Sequence, residues 1–405
     1  MFGHKDDANP AIKIQGISGI YLAGQVISGE AILNFPVIIE DDIEEVHVKF
    51  RGTLFVNITE HKPGHGNTPA RTKNHQKTKS LVEQEITLWN RSNGTPNTKI
   101  AYPFSFRLPD EVLPSSFCGW GSNRGHVTYF IKIVGVRDGM LHRNRREYVP
   151  LQVLAPDFQG AMVAKGLRQR IPYPTRTYDT HKEIRKGIFG DYSNVTLQFV
   201  LPDFATFPLF TPIPYILRVI TLTKPQKRDE EDERDENLYP APPKTPSEAT
   251  LRLMRLANIR PGLLHSFTSN DELDHLGGLG EGTGPKPSVH VNEKKWMPKG
   301  TKEGSWLQES TLQGAFVLTR PPGFQEDLMS VSYSLFLEVK FPGLIMSSDV
   351  ELNIPITVSS GLPMISDDWL PREPEDRPAI AYPPHGYNYQ LALAEEYYLL
   401  DDAEA

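Results

Sequence analysis

The residue types that could carry catalysis are present in this chain, but not at the spacings catalysis needs. The single cysteine, Cys118, could act as a nucleophile with a histidine brought from elsewhere. It sits between Phe117 and Gly119, however, where a small apolar residue packing a sheet corner is the better reading. The run G-L-G-E-G-T-G at Gly278–Gly284 looks like a phosphate-binding loop. No Gly-Lys-Ser/Thr follows it and no strand leads into it, so it reads as a linker. There is no G-x-S-x-G elbow and no H-E-x-x-H pair. His61 and His65 stand at i, i+4, a spacing that could hold zinc on a helix, but the intervening Pro63 and Gly64 oppose that helix. The carboxylates gather in acidic runs instead of pairing in a recognisable pocket. No catalytic residue, metal or cofactor is expected, and the chain reads as a binding protein, with an enzyme a distant alternative.

Two stretches have the chemistry of recognition. From His61 to Lys79 the chain holds five Lys/Arg (Lys62, Arg71, Lys73, Lys77 and Lys79), three His and no Asp/Glu. Such a stretch can contact phosphate, on a phosphorylated peptide or an anionic lipid headgroup, or can be a solvated loop insertion. In the tail, Glu395, Leu399 and Leu400 fit [DE]-x-x-x-L-L, while Tyr397 and Leu400 fit Y-x-x-Φ. An apolar pair for a pocket and a carboxylate for a basic rim is the chemistry that clathrin adaptors read. The same residues also suit a terminal strand or helix that packs back on the body.

Positioning these stretches falls to short strands. Alternating or apolar runs recur at Ile12–Ile14, Ile32–Phe35, Val46–Arg51, Leu54–Ile58, Glu85–Trp89, Tyr102–Leu108, Val127–Val136 and Tyr148–Leu154. Turn residues separate most of them, and no amphipathic helix of about twelve residues or more intervenes, which favours two packed antiparallel sheets. Residues 156–190 lack a sustained period and read as a linker. Strands resume at Val195–Leu201, Pro214–Leu222, Gly314–Thr319, Val331–Phe341 and Val350–Val358. Residues 224–310 read as a long insertion, with an acidic patch at Lys227–Glu236, a short helix over Ser247–Ala257 capped by Ser247, and an irregular Gly277–Gly284.

Composition bounds the class. The 405 residues suffice for two domains, and 35 Pro with 31 Gly suit an all-β protein rich in turns. One cysteine excludes an intrachain disulfide framework and fits a reducing compartment. No secretory h-region opens the sequence, and no window approaches about 18 uninterrupted apolar residues. The N-x-S/T matches at Asn57, Asn90, Asn93 and Asn194 are therefore expected to be chance occurrences. The net charge of −7 is concentrated in residues 361–405, where ten Asp/Glu face two Arg. The near-neutral body offers no concentrated basic face for nucleic acid.

One stretch ties these observations to a family. Phe104–Phe117 reads F-x-F-x-L-P-x-x-x-L-P-S-S-F, and Gly125–Lys132 reads G-x-V-x-Y-F-I-K. Together with Y-L-A-G-Q-V-I-S-G at Tyr21–Gly29 and V-H-V-K-F-R-G-T at Val46–Thr53, this resembles the N-terminal domain of arrestin-fold proteins, and most of all the fungal α-arrestins, the arrestin-related trafficking adaptors. The final strands, including Pro355–Ile356, resemble the close of the arrestin C-terminal domain. The resemblance implies an all-β protein of two tandem immunoglobulin-like sandwiches, 12–155 and 191–360, and an acidic Pro/Tyr-containing tail, 361–405. It also implies a cytoplasmic adaptor, recruited to plasma membrane or endosomes, which links membrane-protein cargo tails to ubiquitination or endocytic machinery. Edge strands would accept a cargo segment by β-addition. A retromer-subunit-like coat scaffold is the alternative. α-Arrestins recruit WW-domain ubiquitin ligases through P-P-x-Y. Here Pro383, Pro384 and Tyr387 make P-P-x-x-Y, and in a polyproline II helix the extra residue turns the tyrosine by about 120°.

Overall fold

The computed structural model describes residues 10–64, 70–139, 143–185, 190–228, 238–300, 303–341 and 349–364. These form two β-sandwiches in tandem, as the strand pattern predicts.

The first sandwich contains β1 (Ile12–Gln15), β2 (Ile20–Leu22), β3 (Val26–Asn34), α1 (Phe35–Glu40), β4 (Ile43–Lys62) and β5 (Arg71–Asn90). It continues with β6 (Lys99–Arg107), β7 (Ser116–Trp120), β8 (Asn123–Arg137) and β9 (Arg145–Leu154). One sheet has the order β1-β3-β6, and the other β2-β9-β8-β4-β5, with β7 also paired to β8. The alternation read at Tyr102–Leu108 is real: Phe104, Phe106 and Leu108 are buried and Tyr102 half-buried, while Pro103, Ser105 and Arg107 are exposed. Phe106 meets Phe50 of the opposite sheet at a ring separation of 5.9 Å, so the two inner faces close on one core.

The Leu-Pro stretch joining the sheets cannot complete a ladder, because proline donates no hydrogen. Its bonds go elsewhere. Leu108 N–H donates to Gln25 O (2.9 Å), Pro109 O accepts from Gly24 N–H (3.0 Å), and Ser115 N–H donates to Val153 O (2.9 Å). Ser115 Oγ accepts from Val153 N–H at 2.9 Å and donates to Leu151 O. The Tyr129 hydroxyl, on β8, donates to Leu113 O at 3.0 Å. Tyr129 occupies the space above its cross-strand partner Gly52, where a Cβ would lie 2.5 Å from two ring carbons. The glycine of R-G-T, the tyrosine of G-x-x-x-Y and the L-P bridge are one packed unit.

Two expectations for this half are corrected. Val46–Arg51 and Leu54–Ile58 belong to one strand, β4, which runs through Gly52 without a break. His61–Lys79 is mostly strand and not loop: Lys62 ends β4 opposite Arg71, which opens β5. Its alternation sets basic against uncharged polar residues, so an apolar period could not reveal it.

The second sandwich is preceded by α2 (Phe158–Arg168), whose cap Asp157 accepts from Gly160 N–H at 2.9 Å. Its strands are β10 (Thr175–Arg185), β11 (Tyr192–Pro202), β12 (Phe207–Pro208), β13 (Ile213–Thr223) and β14 (Gln226–Lys227). Next come β15 (Ala249–Gly262), β16 (His265–His275), β17 (Ser288–Val291), β18 (Lys295–Lys299) and β19 (Glu303–Phe316). The last are β20 (Phe324–Gln325), β21 (Met329–Val339), β22 (Val350–Ile356) and β23 (Val358–Ser359). One sheet is ordered β10-β11-β13-β19-β14, with β17 and β18 also on β19; the other is β16-β15-β21-β20, with β22 on β21. A short parallel pair joins β12 to β23.

Here the sequence reading needs more correction. The stretch 156–190, expected as linker, contains α2 and the edge strand β10. Residues 224–310, expected as an insertion, supply β15, which lies inside its sheet, together with β16 to β18 and part of β19. Ser247–Ala257 is not a helix. A single 3-10 turn over Pro246–Glu248, capped by Thr245, leads directly into β15. Leu251, Leu253, Arg255, Ala257 and Ile259 are its inward residues. The helix-favouring Leu, Arg and Met of this segment lose to its period of two. Gly277–Gly284 forms turns anchored by buried Leu279, and the Tyr215 hydroxyl donates to Gly277 O at 2.7 Å.

A single apolar network connects both sandwiches. On β4, residues 52–58 are all buried, because β15 of the second sandwich packs against this strand.

Candidate functional site

The seam between the sandwiches has an apolar centre and a polar rim. At its centre Cys118 Sγ lies 3.9 Å from Met329 Sδ. Gly125 of β8 leaves room for the same methionine: a Cβ there would lie 2.8 Å from its sulfur and 3.5 Å from Ile259. Burial pushes the Cys118 thiol up to about 12, so it is neutral at ordinary pH and packs instead of attacking. Beside it, Arg255 from β15 reaches across to the first sandwich and donates to Phe117 O at 2.6 Å. The same guanidinium donates to Asp271 Oδ2 at 2.7 Å. His126 stacks between Phe55 and Phe117, at ring separations of 5.0 and 6.2 Å.

The basic stretch borders this seam. Arg71, Lys73, His75, Lys77 and Lys79 occupy alternate positions of β5, and Lys62 is the cross-strand partner of Arg71. Strand geometry therefore puts all six on one face. That face is turned toward the second sandwich. Lys79 pairs with Glu326 at 2.5 Å, and the His75 ring stacks on His265 of β16 at 3.6 Å between centroids. Lys62 lies 3.4 Å from Glu60, whereas Arg71, Lys73 and Lys77 are exposed. Glu60 Oε2 also meets His75 Nε2 at 3.3 Å, and that hydrogen bond lowers the Glu60 pKa below the usual carboxylate value. His61 turns to the opposite face, where its Nδ1 is 3.2 Å from Thr72 Oγ1.

His65 lies outside the described residues. So do the tail positions Pro383, Pro384, Tyr387, Glu395, Tyr397, Leu399 and Leu400, and the acidic patch from residue 229 to its end. The sequence reading passed over Arg255, Asp271, Met329 and His265. For Arg255 a signal existed: read with period two, R-L-M-R-L places one arginine at an inward position.

A groove of about 650 Å³ opens between the C-terminal end of α2 and the ends of β11, β13 and β19. Its lining includes Leu167, Arg168, Ile171, Tyr173 and Pro214 and holds no carboxylate, histidine or cysteine, so its walls bring together no nucleophile and base. Among the described residues no helix is long and apolar enough to cross a membrane.

Residues 11–154 match the family model of the arrestin (or S-antigen) N-terminal domain. The first sandwich is similar to the arrestin N-terminal domain. The match begins one residue before β1 and ends with β9, so it covers the first sandwich and its Leu-Pro bridge. No curated protein matches the chain.

Proposed function

We propose that this chain is a non-catalytic adaptor of the α-arrestin type, working in the cytoplasm at the membrane surface. Its sandwiches hold membrane-protein tails, and its own tail recruits ubiquitination or endocytic machinery. The observation that carries this reading is the arrestin N-terminal match over the first sandwich, joined to a tail with proline–tyrosine and acidic dileucine patterns. Arg71, Lys73 and Lys77 are exposed and could contact phosphate on a cargo tail or a lipid headgroup. Lys62 and Lys79 are already engaged with Glu60 and Glu326 and would contribute less. The longer P-P-x-x-Y spacing makes Glu395, Tyr397, Leu399 and Leu400 the stronger recruiting element, which favours a clathrin adaptor over a WW-domain ligase.

The test is affinity purification of the full chain against a chain ending after Met364. That end point preserves the Leu362 carbonyl, which accepts from Asp157 N–H at 2.7 Å. Recovery of a clathrin adaptor or ubiquitin ligase with the full chain alone is expected, and Leu399→Ala/Leu400→Ala should abolish the adaptor share. Recovery of no trafficking component by either chain would overturn the proposal.

A further inference from the structure

Glu60, His75 and His265 converge on one point of the rim from three strands, β4, β5 and β16. One donor atom from each lies within 4.8 Å of the others, and all three residues are half-buried. Glu60 and His75 belong to the first sandwich and His265 to the second, so the cluster spans the seam. We propose that it is a metal site for a divalent ion of the zinc class, and that the ion fastens the two sandwiches together.

The donor set fits such an ion. Two imidazoles and one carboxylate suit Zn²⁺, whereas Ca²⁺ and Mg²⁺ prefer all-oxygen shells. Tetrahedral ligation with bonds of about 2.0–2.1 Å sets ligand atoms about 3.3 Å apart. The Glu60–His75 pair is already at 3.3 Å, so the remaining contraction is about 1.5 Å at most. His265 opens β16 next to the exposed tip Leu263–Leu264, and a side chain beside a hairpin turn can make that adjustment. Three protein ligands leave a fourth position for water or a partner's side chain, the arrangement of exchangeable sites. Linkage then requires an ion that binds only the joined arrangement to stabilise it.

Titration of the purified full chain with Zn²⁺, against a chromophoric chelator and by calorimetry, tests this. The chain has twelve histidines, so the variants must separate this site from surface binding. His265→Phe keeps an aromatic ring on His75 while removing the donor; Glu60→Gln keeps the carboxylate's shape. One equivalent of Zn²⁺ is expected in the parent chain. Each variant should weaken it more than about 100-fold, since loss of even a supporting outer partner costs 10–100-fold. Zn²⁺ should also raise the thermal midpoint of the parent and leave that of His265→Phe unmoved, while His61→Ala behaves as the parent. Absence of stoichiometric binding, or equal binding by His265→Phe and the parent, would overturn the proposal.

Discussion

The two sandwiches are locked in different ways. The first is closed at one bridge: Leu108–Ser115 exchanges main-chain bonds with Gly24, Gln25 and Val153 and takes side-chain bonds through Tyr129 and Ser115. The second is tied at many separate points, by main-chain bonds such as Leu276 N–H to Leu251 O and Arg260 N–H to Leu328 O and by side chains. Tyr215 reaches Gly277 O, Thr221 reaches Pro240 O, Ser193 reaches Tyr239 O, and Arg320 pairs with Asp274. A single bridge needs prolines, glycines and small residues at set places, so it leaves a dense pattern in the sequence. Ties spread over many loops leave no such concentrated pattern.

The comparison can be broken most severely at Gly52. Gly52→Val would drive carbons into the Tyr129 ring and through it into the bridge, and we expect a loss of about 3 kcal/mol or more in denaturant unfolding. Next comes the seam. Met329→Ala removes a fully buried side chain shared by both halves and should cost about 2–4 kcal/mol. Cys118 reports the same event, because with its pKa near 12 almost no thiolate exists at pH 8. Alkylation should be slow in the parent at that pH and faster in Met329→Ala, rising steeply as pH approaches 12.

The two kinds of lock can then be set side by side. Ser115→Ala strands the buried Val153 and Leu151 groups and should cost about 1–3 kcal/mol, whereas Ser193→Ala removes one donor and should cost about 0.5–1.5 kcal/mol. Equal losses, read from thermal midpoints, would show that the single bridge of the first half is no more sensitive than one of the scattered ties of the second. The smallest effect belongs to Lys79→Ala. Its partly exposed pair with Glu326 should be worth less than about 1 kcal/mol and should fade as salt rises.

The sequence was legible wherever apolar residues alternate. Tyr102–Leu108 and Val331–Phe341 announced themselves because one face of each is core, and Val127–Val136 because its apolar residues alternate even though both its faces are buried. It was misleading at Ser247–Ala257, where residues with helical preference follow a strand period, and the period wins because β15 is paired on both sides. It was silent at Arg71–Lys79, whose strand has no apolar residue in its first half. Of the seam, only the inward arginine Arg255 left a trace in the sequence. Nothing local links Cys118 to Met329, or Glu60 to His265, since each pair is made by the packing of two domains.

One consequence follows from the length of β4. Its ladder with β8 ends at Asn57 opposite Arg124, and the Asn123 side chain takes over by accepting from Thr59 N–H at 2.8 Å. Beyond that point only β5 accompanies it, and a two-stranded ribbon is marginal by itself. The ribbon is backed by His265, which belongs to the other sandwich. The stretch that sequence similarity delimits is therefore not the stretch that would stand as an autonomous unit. Expressed alone, residues 11–154 would keep their core and lose the support of the ribbon that carries Glu60, Lys62, Arg71 and Lys73, so the isolated first domain would misreport that ribbon as it stands in the intact protein.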